Sequence, residues 1–209
     1  MNPIDGVTKF ALRFTATPPL ANSLLRELRD WRQRFYQIGI IGQDPARYGG
    51  VGFGNVSRRL AGEHLAFVIS GTQTGGLATL DTRHFARVTR CDVERNLIEA
   101  EGPIAPSSEA LTHGALYQCD PAIGFVFHGH APRLWQAATE LRLPLTAPAI
   151  AYGTPEMARE MARLWHASDL PQRRILIMGG HEDGVVSFGG NADEAGAAML
   201  AALALTADR

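Results

Sequence analysis

The stretch Ile123-Gly124-Phe125-Val126-Phe127-His128-Gly129-His130 constrains the fold more than any other. It is apolar and follows the turn signal Asp120-Pro121, so it reads as a short buried β-strand. Side chains on a strand alternate between its two faces. Ile123, Phe125 and Phe127 therefore share a face suited to a core, and Val126, His128 and His130 share the other. The two imidazoles are one i,i+2 step apart, roughly 6.5–7 Å along the strand. Two ring nitrogens can turn from that spacing onto one divalent cation, at about 2.0–2.1 Å each for zinc. A histidine pair ending a strand at a sheet rim has the same pattern, so a metal site needs a third ligand.

That ligand is found late in the chain. Arg174 to Met178 reads as a strand, followed by Gly179-Gly180-His181-Glu182-Asp183-Gly184 and a further strand over Val185 to Phe188. A histidine among glycines in a strand-to-strand turn is badly placed for a core and well placed to reach another strand. With His128 and His130 it completes a three-histidine set with open positions, the arrangement of a catalytic rather than a structural metal site. A carboxylate is expected near such a centre. Pro106-Ser107-Ser108-Glu109 opens a helix running to about Cys119, with Ser107 or Ser108 as the natural N-cap. Glu109 reads either as a first-turn acid suited to the helix dipole or as a general acid/base. His113 lies one turn further along the same face.

Two glycine-bearing stretches, Gly49 to Ser57 and Ser70 to Gly76, suit close backbone approach to an anion, although neither matches the Walker or dinucleotide fingerprints. The serines at a helix N-terminus suit phosphate as well. The remaining elements are read from periodicity. An edge strand is expected over Lys9 to Thr15 and an amphipathic helix over Leu20 to Ile38. Leu20, Leu24, Leu25, Leu28, Trp31, Phe35 and Ile38 form its buried stripe, and Arg26, Glu27, Arg29, Asp30, Arg32 and Arg34 face solvent. Strands are expected over Leu65 to Ser70, Phe85 to Asp92 and Asn96 to Ala100. Helices are expected over Ala131 to Leu141 with Trp135 buried, over Thr154 to Ser168 with Thr154 as cap and Pro155 first, and over Ala192 to Thr206 with Asn191 as cap. Without internal repeat or linker, residues 1–209 read as a single α/β domain.

Composition removes several function classes. Of 20 basic residues only Lys9 is a lysine, and it falls in an expected strand, which argues against Schiff-base chemistry. A net charge of −1 offers no electrostatic case for nucleic acid or an anionic membrane surface. Cys91 and Cys119 have no metal-like spacing and read as free thiols. No apolar run reaches transmembrane length, and Met1 to Gly6 lacks the regions of a signal peptide, so a cytoplasmic protein is expected.

The ordered set Gly54-Asn55-Val56-Ser57, Ser70-Gly71, Ser107-Ser108-Glu109 with His113, His128-Gly129-His130 and a late glycine-bounded histidine resembles the class II aldolase/adducin family. The likeness runs from about Leu20 to Thr206. It implies a three-layer α/β/α fold around a central, mostly antiparallel sheet, assembled as a homotetramer with sites between subunits. It implies that His128, His130 and His181 bind a divalent ion, usually Zn2+, and that Glu109 is the acid/base. Gly54, Asn55, Ser70, Gly71, Ser107 and Ser108 would hold the phosphate of a small sugar phosphate. The implied reaction is aldolase-type lysis through a metal-stabilised enediolate, and the family also includes epimerases, dehydratases and non-catalytic adducin-like modules. The chain departs from the family in Glu182 and Asp183, which follow the late histidine and either orient an imidazole or disfavour a phosphorylated substrate. A non-phosphorylated hydroxy-carbonyl substrate is the reading under the second option. Tyr152 is the nearest candidate for the tyrosine acid of the fuculose-phosphate aldolases.

Overall fold

A computed structural model describes residues 8–62 and 65–207. The N-terminal residues read above for a signal peptide lie outside the described residues. Among the described residues, ten strands and six α-helices are laid out in chain order. The strands are β1 (Ala11–Ala16), β2 (Gly42–Gln43), β3 (Gly52–Phe53), β4 (Asn55–Arg59), β5 (Phe67–Ser70), β6 (Phe85–Asp92), β7 (Leu97–Gly102), β8 (Phe125–His130), β9 (Ile175–Ile177) and β10 (Gly184–Gly189). The helices are α1 (Asn22–Gln37), α2 (Ala110–Cys119), α3 (Pro132–Ala137), α4 (Pro155–Ala167), α5 (Leu170–Arg173) and α6 (Ala192–Ala204).

Eight of the strands form one sheet in the order β1-β7-β6-β5-β4-β8-β10-β9. Only the β1–β7 pair is parallel, so the sheet is mostly antiparallel, as expected. Helices cover both faces. Leu25, Leu28, Trp31 and Phe35 of α1, Leu134 of α3 and Ala195 and Met199 of α6 pack with Val56, Val68, Phe85, Phe125 and Phe127. On the opposite face Leu111, Ala115 and Leu116 of α2 and Met157, Met161 and Leu164 of α4 pack with Phe67, Val88, Val126 and Val186. The alternation read for β8 therefore holds, with Phe125 and Phe127 in one core and Val126 in the other. Ile123 is an exception: it precedes β8 and joins the Val126 core instead.

Three further expectations are corrected. Arg32 does not face solvent but is fully buried, because its guanidinium finds three carbonyl acceptors below α1. The helix expected over 131–141 is only the short α3, and Trp135 is half-buried, its indole Nε1 donating to Met178 O at 2.9 Å. Glu109, not a serine, occupies the cap position of α2; Ser107 Oγ accepts from Glu109 N at 3.3 Å. Thr154 and Asn191 cap α4 and α6 as read, accepting from Met157 N and Glu194 N.

Candidate metal centre and the cleft around it

Strand β8 lies near the middle of the sheet, between β4 and β10. Its register puts Asn55 of β4 and Val186 of β10 opposite His128, and Gly184 opposite His130. The β9–β10 turn therefore begins level with the histidine end of β8, and His181 folds back over it. Gly184 permits this fold: a Cβ there would meet His181 Cδ2 at 2.5 Å. On the same face, the start of α2 brings in Glu109.

His128, His130 and His181 are all buried, and their ligand nitrogens lie within 4.8 Å of one another. His181 Nε2 is 3.1 Å from His130 Nε2 and 3.3 Å from His128 Nε2. A tetrahedral ion holding nitrogens at about 2.0–2.1 Å separates neighbouring donors by about 3.3–3.4 Å, so these two spacings fit, and the His128–His130 pair stays within 4.8 Å. The ring of His128 is oriented by Nδ1–H donating to Val185 O at 3.1 Å, which leaves the Nε2 lone pair for a ligand bond. Burial pulls the His128 pKa down to about 4. Burial, and then the neighbouring imidazoles, hold His130 and His181 well below the usual histidine range. Three neutral rings aimed at one point suit a borderline divalent cation. Glu109, 3 % exposed, brings Oε1 to 3.5 Å from His181 Nε2 and 3.9 Å from His128 Nε2.

These groups open onto a solvent-facing cleft. Gly54, Asn55, Gly71, Ser107, Ser108, Glu109, His128, His130, Tyr152 and His181 all line it. Gly54 stands at φ +79°, and a Cβ there would sit 2.5 Å from Ile41 Cγ1. Ser70 does not line the cleft; its Oγ accepts from Val56 N at 3.2 Å, and its role is to tie β5 to β4. Tyr152 is buried with its ring centroid 4.6 Å from that of His181, and Lys9 Nζ sits over the Tyr152 ring, 3.4 Å from its centroid.

Neither Glu182 nor Asp183 lines the cleft. Glu182 is exposed. Asp183 Oδ2 accepts from Tyr48 OH at 2.5 Å and pairs with Arg47. The Tyr48 ring in turn stands edge-on to His130 at 4.4 Å, and Phe53 lies 5.0 Å from the same imidazole. Asp183 thus pins an aromatic wall beside a candidate ligand. Burial and the Asp183 contact raise the Tyr48 pKa, so its hydroxyl stays protonated as the donor. Nothing in the local sequence signals Tyr48, whose partner is 135 residues away. Thr72, Gln73, Thr74 and Gly75 also line the cleft, within the stretch whose composition suits backbone approach to an anion but singles out none of them.

The sequence model of the class II aldolase and adducin N-terminal domain family matches residues 46–205. A methylthioribulose-1-phosphate dehydratase of Xanthomonas euvesicatoria is 32 % identical over 102 residues. That match spans 43 % of this chain and only 40 % of the relative's length. The fold is similar to L-fuculose-1-phosphate aldolase from Thermus thermophilus, with TM-score 0.61, 20 % identity, and 89 % and 91 % of the two chains covered. It is also similar to a sugar-phosphate aldolase from Thermotoga maritima, with TM-score 0.66, 13 % identity, and 88 % and 92 % covered. With the family pattern extending over most of its length, this chain belongs to the class II aldolase and adducin N-terminal domain family.

Proposed function

We propose that the protein is a zinc-dependent lyase acting on a small phosphorylated keto sugar. One observation carries this reading: three imidazole nitrogens converge beside the carboxylate of Glu109, in a cleft whose other walls are small polar loops. A bound zinc ion supplies Lewis-acid polarisation of a carbonyl or hydroxyl oxygen. His128, His130 and His181 hold it. Asn55, Ser107, Ser108 and the close backbone approach at Gly54 and Gly71 grip the phosphate and fix the sugar chain relative to Glu109. In aldol cleavage the β-hydroxyl gives up its proton as the bond between the α and β carbons breaks, and the α carbon then takes up a proton. Glu109 Oε1 moves the proton at carbon, and Tyr152 is the candidate for the hydroxyl proton.

Dehydration is the second reading, favoured by the sequence relatives, which are named as methylthioribulose-1-phosphate dehydratases. There the α carbon loses a proton and the β carbon loses hydroxide, and Glu109 can serve at both atoms. A tetrameric assembly and a cytoplasmic location belong to the same proposal. Among the described residues no helix is long and apolar enough to cross a membrane.

The test is elemental analysis of the purified protein, followed by ketose 1-phosphates and the matching free sugars assayed by NMR. An aldehyde with a triose phosphate identifies cleavage, and a dicarbonyl identifies dehydration. Turnover of free sugars alone moves the substrate to a non-phosphorylated hydroxy-carbonyl compound. Absence of any bound divalent ion, together with no uptake on titration, sinks the enzyme reading and leaves an adducin-like module.

A further inference from the structure

Arg32 is placed where the amphipathic pattern of α1 does not require a cation. It is 2 % exposed, and its guanidinium is spent on the backbone of one loop. Nη2 donates to Thr74 O at 3.0 Å and to Gly75 O at 2.8 Å, and Nη1 donates to Ala78 O at 3.1 Å. Burial lowers its pKa to about 10, which still leaves it charged at neutral pH. A buried guanidinium is costly unless its donors are satisfied, and a helix packing on a sheet has no need of one here.

The loop it holds is a wall of the cleft. Thr72, Gln73, Thr74 and Gly75 line it, and Thr74 Oγ1 closes the loop by donating to Gly71 O at 2.8 Å. The carbonyl and N–H of a trans peptide point in opposite directions. Carbonyls 74 and 75 turned back onto Arg32 therefore turn the N–H groups of Gly75 and Gly76 away from it. Both nitrogens face Gly52, another cleft residue, where a Cβ would stand 3.2 Å from each. The N–H groups of Gln73, Thr74, Gly75 and Gly76 have no hydrogen-bond acceptor among the described residues. A run of unspent amides in a turn is a cradle for an anion.

Charge points the same way. Among the described residues no lysine or arginine lines the cleft, while Glu109 contributes a carboxylate. Arg47 is paired with Asp183, and Lys9 is stacked on Tyr152. Arg32 is the cation directly behind the cradle, one peptide layer from it, where it polarises the carbonyls whose amides face the ligand.

We propose that Arg32 is a positioning residue for the anion cradle: it turns the Gly75 and Gly76 amides away from itself and towards the Gly52 wall of the cleft, and supplies the positive charge that the cleft lining lacks. This rests on the reading that the cleft takes a phosphorylated substrate. The probe is inorganic phosphate, titrated calorimetrically into the wild type, Arg32→Lys and Arg32→Met. Metal uptake and amide hydrogen exchange of residues 72–78 are followed in parallel. Arg32→Met is expected to weaken phosphate binding tenfold or more and to speed exchange in the loop, with metal uptake unchanged. Arg32→Lys keeps the charge but not the fork of three bonds, and is expected to fall between the two. Phosphate affinity of Arg32→Met within twofold of wild type overturns the proposal. So does equal loss in both variants accompanied by loss of metal uptake, since that describes a fold defect. Wild-type protein that does not bind phosphate overturns the phosphate reading itself, and this inference with it.

Discussion

Glu109 and the three imidazoles share a few ångströms of space but do separable work, and single substitutions should part them. Glu109→Gln keeps the size of the side chain and leaves all three ring nitrogens in place. It is expected to retain metal at the wild-type stoichiometry while turnover of the identified substrate falls by about 10²–10⁴-fold, the usual weight of a general acid/base. His181→Ala removes the one ligand that comes from outside β8, and should lose both metal and turnover. If Glu109→Gln turns over at the wild-type rate, the carboxylate has no part in moving the proton. The thiols give a test independent of the centre. Burial pushes Cys91 up to about 12 and Cys119 up to about 11. Since the thiolate is the nucleophile, both should resist a disulfide reagent at pH 8 in the native protein and react at once in denaturant. Rapid labelling of the native protein would contradict the packing of α2 against β6.

Among the elements, the best-read boundary is the start of α4, and it gives a quantitative check. Thr154 Oγ1 accepts from Met157 N and donates to Ala151 O, and Pro155 follows at the first helical position. Thr154→Ala is expected to cost about 1 kcal/mol in urea unfolding, with the m-value unchanged. Boundaries like this were legible because capping is chemistry within three residues. The faces of β8 were legible for the same reason, since alternation is local. The placement of His181 against β8 was readable as a ligand pattern, but its geometry comes from the β8–β10 register, which no local rule supplies. Arg32 was misread because a helical arginine is solvated unless something distant offers acceptors, and the acceptors here are 42–46 residues away. Ser70 was misread for a related reason. The glycine-bearing loop does reach the cleft, but the strand alternation of β5 turns this hydroxyl to β4.

At the scale of the molecule, the sheet buries more imidazole than its stability can tolerate in acid. His113 lies in the core between α2 and β4, with Nδ1 2.6 Å from Ser57 Oγ, and Ser57 Oγ is also 2.7 Å from Tyr117 OH. Burial first, and His128 second, hold its pKa well below the usual value of 6.5. His128, His130 and His181 are lowered in the same direction. Each is neutral in the native protein, whereas an unfolded chain takes up the proton as the pH falls below about 6.5. The unfolded state therefore binds more protons, and stability is full above pH 6.5 and lost below it. The loss should be about 1.4 kcal/mol per pH unit for each such histidine, and for His128 the window closes near pH 4. Urea unfolding of chelator-treated protein between pH 7.5 and 5 measures the slope. His113→Phe fills a similar volume without a titrating ring, and its curve should be shallower by about one proton, whatever its stability at pH 7. Parallel curves for the two proteins would mean that His113 is protonated in the native core, against the packing of Ser57, His113 and Tyr117 between helix and sheet.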